Sequence, residues 1–148
     1  MKVVLQRVTH ASVSVAGITI AEIGPGLVAL VGVAQGDSED DAKYLVKKTV
    51  GLRIFADSEG KFNFSALDTK ADILAVSQFT LFADTRRGRR PSFSDAAPSE
   101  EARFLFDYFV QLLLTSGLKV KTGQFREKML VKINNDGPVT IIIDSKSR

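Results

Sequence analysis

The segment from Ile73 to Asp84, ILAVSQFTLFAD, changes from apolar to polar halfway along. Its first four residues predict a buried strand from Ile73 to Val76. Ser77, Gln78 and Thr80 then place two hydroxyls and an amide directly after that strand. Fully buried strands are typical of α/β sheets, which bind ligands at the carboxyl ends of their strands. The segment therefore predicts both the central sheet and the position of a functional site.

Composition narrows the possible classes of protein. The chain has 148 residues, of which 45% are hydrophobic, and this predicts one domain over residues 1–148. It has no cysteine and one histidine, His10, which excludes disulfides, thiolate chemistry and cysteine zinc sites. We expect neither a metal site nor an organic cofactor. The net charge of +3 would suit a polyanionic partner but does not require one.

No membrane association is expected. No apolar run approaches the roughly 18 residues of a membrane span, and polar residues interrupt the N-terminal apolar run, so it lacks a signal-peptide core. A cytoplasmic location is predicted.

Patterning of the first half of the chain predicts strands at residues 2–8, 12–15, 18–23 and 27–34, arranged mainly antiparallel at the start. Ser38 and Asp41 stand at capping-box spacing and predict the start of a helix. Residues 52–55 and 62–64 are predicted as strands, and residues 65–71 as a loop.

The second half begins with a long irregular segment, residues 84–98, which is typical of functional loops. Ser99 is predicted to cap a second helix that ends at Gly117. Segments 120–125, 129–134 and 139–144 are predicted as strands that add a meander. The alternation of strands and helices predicts a mixed α/β fold, a single compact domain with two main helices packed on one face of mixed sheets.

The residues offer few routes to catalysis. Ser77 and Thr80 would be nucleophiles if a base were near, but no motif connects His10 to them, so a Ser-His-Asp triad is disfavoured. Asp84 and Asp136 are interpreted as turn and cap residues. Hydrolysis would have to depend on positioning, on backbone amides as an oxyanion hole, and on a water or substrate hydroxyl as nucleophile. Catalysis of this kind favours a substrate that is already activated, and an ester is more reactive than a peptide.

Two further segments are candidates for binding. Arg86, Arg87, Arg89 and Arg90 place four guanidinium groups around one glycine, a pattern suited to phosphate oxygens, and Phe93 follows as a possible stacking surface for a base. The alternative is a solvated basic loop. The segment from Asn134 to Thr140, NNDGPVT, is either a turn between strands or a shaped wall built on its Gly-Pro dipeptide.

Two motifs together resemble the signatures of the D-aminoacyl-tRNA deacylase family: SQFTL at residues 77–81 and NDGPVT at residues 135–140. Support runs along the chain in shorter matches: QRV at 6–8, GPGL at 24–27, RIF at 53–55, RPSF at 90–93, DYF at 107–109 and TG at 122–123. Either motif alone would be weak. Their joint presence, in order and at the family's separation, is specific.

The resemblance implies a homodimer in which Gly137 and Pro138, joined by a cis peptide bond, enter the pocket of the other subunit. That pocket would contain the catalytic segment, with Asn135, Phe125 and Met129 as further substrate contacts. The resemblance implies catalytic positions at Ser77, Gln78, Phe79 and Thr80. A wall of backbone carbonyls would exclude L side chains and admit a D-amino acid or glycine.

The implied substrate is the ester between an amino acid and the ribose at the 3′ end of tRNA. The ribose hydroxyl, water and Thr80 are the alternative nucleophiles. Arg86, Arg87, Arg89 and Arg90 are expected to contact the tRNA. Two rival hypotheses are a non-catalytic module that binds RNA 3′ ends and a hydrolase of small D-amino esters.

Overall fold

The computed structural model describes residues 1–148. Eight strands and three α-helices follow one another along the chain. The strands are β1 (Lys2–Val15), β2 (Ile18–Ile23), β3 (Gly26–Gly32), β4 (Phe55–Ala56), β5 (Phe62–Phe64), β6 (Asp72–Ser77), β7 (Val120–Thr122) and β8 (Met129–Asp144). The helices are α1 (Glu39–Gly51), α2 (Ala66–Thr69) and α3 (Ser99–Thr115).

Strand β1 organises the main sheet. On one side its first half pairs antiparallel with β3 and its second half with β2, and on the other side it pairs with β8 along almost its whole length. Strands β6 and β7 continue the sheet from β3 in parallel. The order is β2-β1-β3-β6-β7, with β8 beside β1 and a separate two-stranded sheet formed by β4 and β5. The mixed α/β prediction is confirmed.

One face of the sheet carries the helices. Side chains at alternate positions, such as Leu5, Ala29 and Ile73, join apolar residues of α1 and α3 in a core of 23 buried residues. Phe109 of α3 is fully buried in this core. Alternation along each strand sends one set of side chains towards the helices, so the packing of both main helices on one face is explained by strand periodicity.

The other face is covered in part by the sheet itself. A second core of eight buried residues joins Val28, Leu74 and Val76 of the parallel strands to Val13 of β1 and Ile23 of β2. Irregular pairing between β1 and β8 near Val8 marks the place where the outer halves of these strands fold over the sheet.

The predicted helix start at Ser38 is confirmed. Ser38 N–H donates to Asp41 Oδ2 (2.8 Å), and Lys146 Nζ lies 2.9 Å from the same oxygen. Asp41 is 1% exposed. Burial raises its pKa, but hydrogen bonds from Lys146, Ser145 and Ser38 outweigh this effect and hold the pKa well below its usual range. The C-terminal tail is thereby tied to α1.

Several predicted boundaries were wrong. Residues 2–8 and 12–15 form one strand, β1, and residues 129–134 and 139–144 form one strand, β8, because these two strands pair through their irregular middle sections. The predicted meander is absent, since β7 pairs parallel with β6 and β8 pairs with β1. Residues 65–71 contain the short helix α2, which Ser65 caps by accepting the Asp68 N–H (3.1 Å).

Smaller differences concern element ends. The strand predicted at 52–55 begins only at Phe55, and β7 ends at Thr122 rather than Phe125. Helix α3 begins at Ser99 itself, with Pro98 at the cap position, so the Ser99 hydroxyl is not the predicted cap.

The parallel contact between β3 and β6 requires a glycine at one position. A Cβ atom on Gly26 would lie 2.0 Å from the backbone oxygen of Asp72. Because backbone rather than a flexible side chain occupies this space, a methyl group could be accommodated only if the two strands moved apart.

Gly26→Ala should lower the free energy of unfolding by about 2 kcal/mol or more, because overpacking here separates paired strands. Gly24→Ala is the matched control, since a Cβ at Gly24 meets nothing within 4 Å, and it should change stability by less than about 0.5 kcal/mol. Urea unfolding of both variants measures the difference. Equal stability of the two would contradict this close approach of β3 and β6.

Candidate active site

The carboxyl end of β6 continues into a 3₁₀ turn, Phe79–Phe82. Gln78 connects the two, because its N–H donates to the Val31 carbonyl of β3 (2.7 Å). The Gln78 side-chain amide donates to Thr80 Oγ1. The predicted catalytic segment is thus held by the sheet at one end and by its own side chains at the other.

Gly32 lets this turn approach the end of β3 closely. A Cβ at Gly32 would lie 3.0 Å from Phe82 Cε2 and 3.1 Å from the Gln78 carbonyl oxygen. Both distances are tighter than ordinary van der Waals contact. A side chain at residue 32 would therefore displace the turn that carries Phe79 and Thr80.

A cavity of about 600 Å³ opens beside the turn. It brings together five of the predicted site residues: Ser77, Gln78, Phe79, Phe125 and Met129. Thr80 does not line it, but its hydroxyl accepts a hydrogen bond from Gln78, which does. The catalytic and binding roles of these residues stay predictions.

Sequence reasoning missed part of this cavity. The other lining residues come from the end of β6, the irregular segment, the start of α3, the loop before β8 and β8 itself: Val76, Phe93, Ala96, Ala97, Pro98, Ser99, Ala102, Arg126, Glu127 and Val131. Of these, only Phe93 carried a sequence signal, as an aromatic residue beside the arginines. Small residues such as Ala96 and Ala102 carry no such signal, because they contribute space rather than chemistry.

Aromatic rings shape the rim and one wall. Phe79 and Phe93 meet edge to face, with ring centroids 5.1 Å apart, and are 55% and 36% exposed. Phe125 packs against Phe106 of the helical core (6.3 Å between centroids), and the Arg103 guanidinium lies over its ring. Exposed rings of this kind are stacking surfaces for a planar ligand.

The cavity contains no acid-base pair of the kind used by serine hydrolases. His10 is bound to Glu22 (2.9 Å), and neither residue lines the cavity. Asp84 binds Arg86 and Asp136 binds Arg7, so each of the two carboxylates interpreted as turn residues is paired with an arginine, and neither lines the cavity. Glu127 is the only carboxylate in the lining.

The Gly-Pro segment lies elsewhere on the same chain. Asp136 to Val139 bulge out of β8 opposite Arg7 of β1, and the Gly137–Pro138 peptide bond is cis, as the resemblance implied. Neither residue lines the cavity, and both are exposed. Within one chain the structure therefore does not bring the two signature motifs together.

Arg7 and Asn135 hold this bulge. Arg7 donates to the Ile54 carbonyl (2.8 Å) and to the Asp136 carbonyl (3.2 Å). Asn135 Oδ1 accepts the Val139 N–H (3.0 Å), and its amide donates to Thr140 Oγ1 (2.9 Å). Asn135 thus closes the turn that contains Gly137 and Pro138. It does not line the cavity of its own chain, where the prediction made it a substrate contact.

The four arginines lie on a loop next to the cavity. Asp84 and Ser92 close the loop with two backbone hydrogen bonds (2.7 and 2.9 Å). Phe93, which follows directly, lines the cavity. Arg86 forms a fork with the Asp84 carboxylate (2.9 and 2.8 Å), and this contact holds the pKa of Asp84 well below its usual range.

Comparison with known sequences decides the family. The sequence model described as D-Tyr-tRNA(Tyr) deacylase matches residues 4–144. The chain belongs to this family. A "D-aminoacyl-tRNA deacylase" of Dehalococcoides mccartyi is 57% identical over 148 residues, which are all of this chain and 97% of the relative. The protein of the same name from Bacillus velezensis is 52% identical over 146 residues, 99% of each chain.

Solved structures share the fold. The structure titled "c-Myc DNA Unwinding Element Binding Protein" has a TM-score of 0.91 and 40% identity, and covers 97% of this chain and 98% of its own. The one titled "Structural Analysis of a probable eukaryotic D-amino acid tRNA deacylase" has a TM-score of 0.80 at 17% identity, and covers 96% of this chain and 97% of its own. At this identity it supports the fold alone.

No helix in the structure is long and apolar enough to cross a membrane.

Arg7→Met should lower the free energy of unfolding by about 1–3 kcal/mol, because it leaves the part-buried Ile54 carbonyl without its donor. It should also speed hydrogen exchange of the Val139 amide, which depends on the bulge staying closed. Arg53→Met is the control, because Arg53 is exposed and forms no hydrogen bond to the bulge, so exchange at Val139 should stay native. Unchanged exchange at Val139 in the Arg7 variant would show that Arg7 does not hold the bulge.

Proposed function

We propose that this protein hydrolyses the ester bond of D-aminoacyl-tRNA and releases the free D-amino acid and tRNA. One observation carries the proposal: in a chain matched by the deacylase family over residues 4–144, the cavity at the end of β6 gathers five predicted site residues. The proposed reaction removes D-amino acids from tRNA before translation uses them. We place it in the cytoplasm.

The proposed chemistry needs little from side chains. The first hydrogen bond within the 3₁₀ turn runs from Leu81 N–H to the Gln78 carbonyl (3.2 Å), so the Phe79 and Thr80 amides have no partner within the turn. They are our candidate donors to the oxyanion that forms when an ester carbonyl is attacked.

For the nucleophile we favour water, with the free ribose hydroxyl of the terminal adenosine positioning it or taking its proton; that hydroxyl is not itself the nucleophile, because its attack would only move the acyl group to the neighbouring ribose oxygen. Thr80 is the weaker alternative, because its hydroxyl oxygen accepts a hydrogen bond from Gln78 and no general base is bound to it. An aminoacyl ester is activated enough for this mechanism, in which positioning replaces a strong base.

We further propose that the site is completed by a second copy of the chain. Gly137 and Pro138 are exposed and lie outside their own cavity. Nearby, Val4, Leu30 and Ile142 occupy paired positions on the sheet face that carries no helix; Val4 and Leu30 are half-buried, and Ile142 is 72% exposed. An apolar strip of this kind is suited to a two-fold interface that brings Gly137 and Pro138 of one subunit to the cavity of the other.

In this arrangement the backbone of Gly137 and Pro138 selects chirality. An L side chain would meet the wall, whereas a D side chain would point away from it and glycine has none. Exclusion by a rigid wall requires no favourable contact with the D side chain, so many D-amino acids should be accepted. Mischarged glycine should be released as well.

The native protein should release D-tyrosine rapidly from D-tyrosyl-tRNA and leave L-tyrosyl-tRNA intact. Gly137→Ala should abolish this activity, because residue 137 has φ +126° and its Cβ would lie 2.8 Å from Val139 Cγ2, so the wall is distorted. Release of labelled amino acid from both esters measures the outcome.

Gly17→Ala is the control, since Gly17 also has positive φ (+78°) but nothing lies within 4 Å of its Cβ position. It should retain D-specific release. Tight tRNA binding without turnover would favour the RNA-binding module instead. Cleavage of simple D-amino esters as fast as of D-tyrosyl-tRNA would favour the small-molecule hydrolase.

Mixed dimers test whether the site is shared between subunits. Met129→Trp should fill the cavity, and Gly137→Ala should damage the wall, so each variant alone should be inactive. Co-expressed in equal amounts, they should recover about a quarter of native activity, because half of the dimers are mixed and each mixed dimer has one intact site. Lack of any recovery, with mixed dimers shown to form, would place both motifs in one subunit's site.

A further inference from the structure

The loop between Asp84 and Ser92, here called the arginine loop, is built around an internal ion pair. The Asp84 carboxylate accepts both prongs of the Arg86 guanidinium (2.9 and 2.8 Å) and also the Arg86 backbone N–H (3.0 Å). A two-point fork of this kind fixes orientation as well as charge. Arg86 therefore serves the shape of the loop, and its charge is already matched by Asp84.

The other three arginines of the loop have no such partner. Arg87, Arg89 and Arg90 are exposed, and none of them forms an ion pair within the chain. Gly88, with φ +66°, turns the backbone between them. The arginine loop thus carries three unpaired guanidinium groups in four residues. In the whole chain, by contrast, 20 basic residues are nearly balanced by 17 acidic residues.

The arginine loop also borders a polar recess of about 470 Å³, which is lined only by Asp84, Arg86, Arg87, Ser92 and Ser94. Phe93, between the two serines in sequence, lines the candidate active-site cavity instead. One short segment therefore forms the wall between an aromatic cavity and a polar, cationic recess.

We propose that the arginine loop binds the phosphates of the unpaired nucleotides that immediately precede the terminal adenosine of the tRNA. Arg87, Arg89 and Arg90 would contact these phosphates, and Arg86 would be a positioning residue for the loop. This inference rests on the proposed function, because it takes the terminal aminoacyl-adenosine to occupy the cavity.

The adjacency of the two recesses favours single-stranded RNA over the acceptor duplex. Phe93 lines the cavity, and its neighbours Ser92 and Ser94 line the polar recess together with Arg87. A nucleotide chain that leaves the cavity past Phe93 would therefore enter the recess directly, while it is still single-stranded and before the base-paired acceptor stem begins. Exposed Phe79 and Phe93 at the cavity rim, followed by arginines, form the combination of stacking surface and cationic track that binds single strands without reading sequence.

Three substrates separate the possibilities: D-tyrosyl-adenosine, which has no phosphate, the 5′-phosphorylated D-tyrosyl trinucleotide pCCA, which has three phosphates, and D-tyrosyl-tRNA. The triple variant Arg87→Ala, Arg89→Ala, Arg90→Ala should match the native protein on the adenosine ester. On the trinucleotide and on tRNA its kcat/KM should fall by a similar factor, roughly tenfold or more at low salt, through KM.

Salt dependence gives a second readout. Three phosphate contacts to a single strand predict a slope of about −2 in log affinity against log salt, which is roughly a 20-fold loss between 50 and 200 mM. The triple variant should lack this part of the slope. The control variant Lys47→Ala, Lys48→Ala, Lys70→Ala removes the same charge from exposed positions on α1 and after α2, and should retain the slope.

The positioning role of Arg86 has its own test. The double variant Asp84→Asn, Arg86→Gln removes the internal ion pair without changing net charge. It should raise KM for the trinucleotide while the salt slope stays native, because the three contacting arginines remain. A slope as flat as that of the triple variant would overturn the division of roles.

The remaining outcomes are distinct. A loss confined to full-length tRNA would show that the arginines contact the duplex, and no loss on any substrate would show that they do not contact the RNA; either result overturns the inference. If the native protein cleaved none of the three esters, the proposed function itself would fail, whatever the variants did.

Discussion

The parallel pairing of β3 with β6 is the contact on which the rest of the site depends. Residue Val31 lies opposite Ser77, and its carbonyl accepts the Gln78 N–H just beyond the last paired residue. This bond decides where the strand ends and the 3₁₀ turn begins. Glycines at both ends of β3 make the pairing possible, since Gly26 lets the strands approach and Gly32 makes room for the turn. A small displacement of β6 would move the Phe79 and Thr80 amides together with the cavity wall.

Strand β1 has a different role, because it connects the two parts of the proposed shared site. Through β3 it supports the sheet edge that carries the cavity, and through β8 it supports the bulge that carries Gly137 and Pro138. Arg7 of β1 binds the bulge directly. In a single chain these two sites remain apart, and a two-fold symmetric dimer is the simplest assembly that would bring them together, twice over.

Charge in this protein is arranged locally. The formal net charge is only +3, and many charged side chains are used in structural pairs, such as Asp41 with Lys146 and Asp84 with Arg86. Because many of these charges are paired, the three unpaired arginines of the loop form a local positive charge that the small net charge of the chain does not reveal. Total charge does not show where such a cluster lies, whereas the ion pairs of the folded chain separate Arg86, which is paired, from the other three arginines of the loop, which are not.

The sequence by itself determined the mixed α/β class, the central buried strand, both main helices and the two signature motifs, because periodicity and capping are local properties of the chain. It also located five residues of the cavity, since Ser77, Gln78 and Phe79 follow the strand directly and the family resemblance added Phe125 and Met129. Only the tertiary structure decided that β1 and β8 are continuous, that small residues of α3 line the cavity, that Arg86 is occupied by Asp84, and that Gly137 and Pro138 lie outside their own cavity. These features depend on contacts between residues far apart in the chain, which no local pattern encodes.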